Sequence, residues 1–179
     1  MHPSLALIGV AVLLSACSTT PMSPMSKVDN ASLPEAVRVP AGHSQRMAAT
    51  GVGEITYECR EKAASAGQFE WAFVGPVATL NGGDKRAVGK YYAGPTWEHN
   101  DGSKVTGKQV AMAPAAPGSI PLQLVKTDPA MGSGAMTGVT YIQRLNTKGG
   151  VAPSTTCDAS SKGQRRQVAY EADYVFYGA

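Results

Sequence analysis

The stretch that decides the fold is Gln167–Tyr177, QVAYEADYVFY. Val168, Tyr170, Ala172, Tyr174 and Phe176 fall on one side of an extended chain, with Glu171 and Asp173 on the other. That period of two is the mark of a half-buried strand, and it has no helical counterpart in the same window. Working outward, the same alternation recurs over Glu54–Arg60, where Ile55, Tyr57 and Cys59 share a face, and over Phe69–Val74, where Phe69, Trp71 and Phe73 do. Further strands are expected at Ala87–Tyr92, Lys104–Met112, Ile120–Lys126 and Val139–Leu145. Asn100-Asp101-Gly102-Ser103 supplies the positive φ angles of a tight hairpin, so Trp97-Glu98-His99 and Lys104-Val105-Thr106 are its two arms. Arg60–Ala66 is the one candidate helix, at most two turns. About eight short strands and no long helix predict an all-β fold, a single antiparallel β-sandwich or barrel-like domain.

Composition fits that class. Of 179 residues, 20 are Gly and 12 are Pro, and 43% are hydrophobic, so the chain is rich in turns and still has a core. Charged residues make only 16%, with a net charge of +3, which is no electrostatic footprint for a nucleic acid. One domain is the default at this length, large enough to bury a core without a structural metal.

The N-terminal region reads as an address. Leu5–Leu14 is ten apolar residues, half of what a membrane-spanning helix needs but the right length for a signal-peptide core. It leads into Leu14-Ser15-Ala16-Cys17, which resembles the bacterial lipoprotein box. Residues 1–16 are therefore expected to be a lipoprotein signal peptide and Cys17 the lipidated N-terminus, held in the membrane by two or more acyl chains. In that sorting pattern Ser18 favours the outer membrane, which places the protein in the cell envelope. Residues 17–40, rich in Ser, Thr and Pro, read as the lipidated cysteine and a flexible tether, with residues 41–179 as the β-rich domain. The alternative for Leu33–Val39 is an edge segment packed on that domain.

With Cys17 assigned to lipid, Cys59 and Cys157 form an even pair in an oxidising compartment and are expected to be bonded to each other. Closing a loop of 98 residues stabilises a fold by on the order of 4 to 5 kcal/mol in the chain-entropy model.

No HExxH, GxSxG, Walker or GxGxxG pattern is present, so no catalytic residue and no cofactor is assigned. Only His43 and His99 lie beyond the signal, too few for a three-histidine metal site, and no metal ligand is assigned. The densest cluster of functional groups is 89–107, GKYYAGPTWEHNDGSKVTG. It resembles, together with Gly51-Val52-Gly53 ahead of Tyr57-Glu58-Cys59, Thr140–Arg144, Gly149–Pro153, Cys157 and Tyr170–Tyr177, domain-of-unknown-function family 3455. The resemblance runs from about Leu33 to Tyr177 and implies one extracytoplasmic domain, secreted or lipid-anchored, with no established activity. The candidate ligand-binding residues are Tyr91, Tyr92, Trp97, His99, Asp101 and Arg144. Trp97 and the tyrosines read first as core or cross-strand packing, and His99 as an exposed rim side chain on the face opposite Trp97.

The leading expectation is a non-enzymatic binding or structural module of the envelope, joined to the membrane by its N-terminal lipid and taking a glycan, small ligand or envelope protein as partner. Its rivals are an envelope hydrolase using Glu98, His99 and Asp101 in a cleft with Arg144, and a metal or redox accessory protein. Mass spectrometry of the membrane-extracted protein should recover an acylated N-terminal peptide beginning at Cys17. An intact N-terminal peptide with a free Cys17 thiol would contradict the assigned address.

Overall fold

The computed structural model describes residues 26–179. The signal segment and Cys17 lie outside the described residues. Eight antiparallel strands follow one another round a closed barrel: β1 (Ser44–Glu61), β2 (Phe69–Asn81), β3 (Ala87–Tyr92), β4 (Thr96–His99), β5 (Lys104–Ala113), β6 (Leu122–Thr127), β7 (Val139–Gly149) and β8 (Arg165–Gly178). Each strand pairs with its neighbours in sequence, and β8 returns to pair with β1 from Ser44↔Gly178 to Glu58↔Arg165. Closure leaves no open sheet edge. Of the two architectures the sequence allows, the barrel is the one formed.

The alternation in β8 shows why the wall has an inside. Tyr170, Ala172, Tyr174 and Phe176 are buried in the interior with Ile55, Leu80, Tyr91, Trp97, Val105 and Ile142. The centre is aromatic: the Tyr91 and Trp97 rings stack at 4.7 Å, and Tyr174 lies 5.1 Å from Tyr91 and 6.0 Å from Trp97. Gly51 makes room for this cluster, since a Cβ there would stand 2.6 Å from the Tyr174 ring.

On the outside of β8, Val175 and Tyr177 are also buried. They are covered by residues 28–39, which pack with Leu124, Leu145 and Ala113 as a second apolar cluster on the outer wall. Of the two readings of Leu33–Val39, packing on the domain is what the structure displays, although the segment lies across the wall as two 3-10 turns, Asn30–Ser32 and Glu35–Val37, and adds no strand. A wholly buried Gln143 pins it by donating to Asn30 Oδ1 at 2.9 Å and Val37 O at 2.7 Å while accepting from the Tyr177 hydroxyl. The described domain therefore begins before residue 41.

The expected helix at Arg60–Ala66 is absent. β1 continues through Glu61, pairing Arg60 with Glu70 and Glu61 with Phe69, and Arg60 and Arg165 both bind Glu58 at 2.7 Å along the outer face of the strand. Those two guanidiniums pull the Glu58 carboxyl down to about 2. The chain then turns over Lys62–Gln68, with Gly67 at φ 78°. Cys59 and Cys157 are joined, as expected, and tie the β7–β8 connection to the wall.

Trp97 is 1% exposed, in the middle of the interior. Trp97→Ala should therefore destabilise the fold by roughly 3 to 5 kcal/mol in a denaturant titration. A midpoint within about 0.5 kcal/mol of the parent, the range of an ordinary surface substitution, would contradict that placement.

Candidate functional site

The two ends of the barrel are built differently. At one end lie the β4–β5 turn and the β6–β7 connection, residues 128–138. Asp101 accepts from Ser103 N, Ser103 Oγ and Ala135 N at 2.9, 2.6 and 2.8 Å, and Ser103 Oγ accepts from Met136 N at 3.1 Å. Those bonds hold Met136 fully buried in the core as a plug. They also hold the Asp101 carboxyl far below the usual aspartate range, first through the Ser103 hydroxyl and then through the Ala135 and Ser103 amides. Depression has one sign for stability: the contribution is present above the ordinary aspartate value and is lost as pH falls towards the folded value.

The opposite end is open. The β3–β4 turn at Ala93-Gly94-Pro95 and the Ile120-Pro121 segment surround a cavity of about 350 Å³ that reaches down to Tyr91. Ile55, Phe73, Ile120 and Val125 give it an apolar lining, and Tyr57, Gln109, Gln123 and Arg144 supply the polar groups. Two β-bulges shape this mouth. Tyr57 pairs with Phe73 and Thr56 with Gly75, leaving Val74 unpaired in β2; Gln109 pairs with Val125 and Ala111 with Leu124, leaving Val110 unpaired in β5. Each bulge resets the alternation: Phe73 faces the mouth although it is out of phase with Ala78 and Leu80, and Gln109 faces the mouth in phase with Val105 while Ala111 and Ala113, past the bulge, turn outward beneath residues 28–39.

The polar groups of the mouth are anchored. The Tyr57 hydroxyl donates to Gly150 O at 2.7 Å, and Gln123 Nε2 donates to Gln109 Oε1. Arg144 Nε and Nη2 both donate to Pro121 O, at 3.2 and 2.9 Å. Burial raises the Tyr57 phenol and pushes Tyr91 up to about 12, while the Arg144 charge acts in the opposite direction on both. The β7–β8 connection is held beside the mouth by the Cys59–Cys157 bond and by Trp71 Nε1 donating to Thr155 O.

The six candidate residues do not converge. Tyr91 and Arg144 line the cavity; Tyr92, Trp97, His99 and Asp101 do not. Tyr92 follows Tyr91 and so faces outward, where its hydroxyl donates to Glu98 at 2.7 Å beside Lys90. That bond and the Lys90 ammonium lower the Glu98 carboxyl. His99 corrects the expectation: residues 97 and 99 share a face of the strand, so His99 lies on the Trp97 side, one step nearer the plugged rim, 25% exposed and 3.0 Å from Asp101. Asp101 is absorbed in holding the plug. The cleft that the hydrolase reading needs, with Glu98, His99 and Asp101 gathered against Arg144, is not formed. Among the described residues no three His, Cys, Asp or Glu side chains gather as metal ligands.

A family described as proteins of unknown function, DUF3455, matches residues 40–84 and 80–178. The chain belongs to the DUF3455 family. The matched residues span all eight strands of this DUF3455 barrel, both bulges and the whole mouth, and stop short of residues 28–39 on the outer wall. No curated protein and no solved structure matches it.

Proposed function

We propose that this DUF3455 protein is a non-enzymatic binding module of the cell envelope, anchored to the outer membrane through Cys17, that takes a small, largely apolar ligand into the open mouth of its barrel. The observation that carries the reading is the asymmetry of the two ends, one filled by Met136 and tied off through Asp101, the other left as an apolar-lined cavity. An eight-stranded barrel has an interior that side chains just fill or that holds one small ligand, and this chain divides its interior between the two. A volume of about 350 Å³ lies at the lower end of small-molecule sites. The Leu14–Cys17 box supports the anchoring, and the bonded cysteines suit an oxidising compartment.

The reading is tested with 1-octanol as a neutral apolar probe, titrated into isotope-labelled full chain in phospholipid nanodiscs and followed by the methyl signals of Ile55, Ile120 and Val125. Those signals should shift together and saturate. Gln123→Trp, which puts an indole into the mouth, should weaken the octanol affinity at least tenfold with the barrel still folded. Unmoved methyl signals in the parent chain would overturn the proposal.

A further inference from the structure

Resting on that reading, we infer that the ligand is a small organic carboxylate, with Arg144 as the receptor for its head group and the apolar lining as the receptor for its chain. Arg144 stands on β7 in the same alternation as the interior residue Ile142, and it lines the cavity. Two of its N–H groups are spent on Pro121 O. The other three have no protein acceptor among the described residues, and no carboxylate there pairs with it. Of the other arginines at this end, Arg60 and Arg165 share the one carboxylate of Glu58 at the outer wall and Arg166 donates to Gln164, and none of the three lines the cavity. Arg144 is thus a cation facing apolar surface, fixed in orientation by a backbone carbonyl and lacking a counter-charge.

The charge is felt in the interior. It opposes the burial-driven rise of Tyr57, Tyr91, Tyr170 and Tyr174, all of which stay protonated and supply no anion of their own. An arginine fork matches a carboxylate in plane and spacing, and a charge-assisted bond is strongest where apolar walls exclude water. The Gln109–Gln123 amide pair beside it adds donors for the second carboxylate oxygen without adding charge. A cation, by contrast, meets no acid among the lining residues.

The test compares octanoate with 1-octanol on the parent chain, Arg144→Gln and Arg144→Lys, using the same full chain in nanodiscs and the same methyl signals. The parent should bind octanoate at least tenfold more tightly than octanol. Arg144→Gln should remove that preference, with octanol still shifting the Ile55, Ile120 and Val125 methyl signals to saturation as the sign that the mouth is formed. Arg144→Lys, which keeps the charge but not the planar fork, should retain only part of it. Octanol binding with no octanoate preference in the parent, or a preference unchanged in Arg144→Gln, would overturn the carboxylate assignment and leave the binding-module reading standing. Failure of both probes to bind the parent would overturn both.

Discussion

The pairing of β1 with β8 is the constraint on which the rest of the molecule depends. It joins the two ends of the domain, turns an eight-stranded meander into a closed wall, and creates an interior that must be filled from both ends. The aromatic cluster of Tyr91, Trp97 and Tyr174 fills the middle, drawing on β3, β4 and β8. Gly51 on β1 allows the Tyr174 ring to sit there, so the wall is closed only as tightly as that glycine permits. Once the centre is packed, the two ends become separate problems, and the chain solves them in different ways.

At the plugged end, polar chemistry does the closing. Asp101 is bonded to both Ser103 and Ala135, and Ser103 passes the connection to Met136, so one carboxylate positions an apolar plug without itself entering the core. At the mouth, two bulges splay the wall, a disulfide steadies the longest connection beside it, and an arginine is left uncompensated. On the outside, residues 28–39 cover the apolar face of β8, with Gln143 satisfying their backbone. Residues 28–39 are therefore part of the packed structure and are not a free segment leading into the barrel.

Much of the wall was legible because strand alternation is a property of the chain itself. Gln167–Tyr177, Glu54–Arg60 and the Asp101-Gly102 hairpin all read correctly, and the two cysteines paired as redox logic requires. The misses have physical causes. Gly75-Pro76 looks like the end of a strand, yet Pro76 sits next to the β2 bulge, where a missing N–H is tolerated, and β2 runs on to Asn81. Bulges are also why alternation carried along a whole strand misleads here: counted from Ala78 and Leu80 it puts Phe73 on the outer wall, and counted from Val105 and Gln109 it puts Ala111 and Ala113 in the interior. The composition-rich segment 89–107 holds Tyr92, His99 and Asp101, which serve the outer wall and the plugged rim; the mouth is assembled from residues far apart in sequence. Arg144 is visible in the sequence as a candidate, but only the tertiary structure shows that it lines the cavity with no carboxylate paired to it among the described residues.

One end of this barrel is sealed by Met136, and on the function proposed above the other receives the ligand. Intermolecular nuclear Overhauser effects between octanoate and the labelled chain test it most directly. Contacts from the octanoate chain to the methyl groups of Ile55, Ile120 and Val125 are the predicted result. Contacts instead to Met136 and Val139 at the sealed end, or to the exposed Val52 and Val77 on the outer wall, would contradict it.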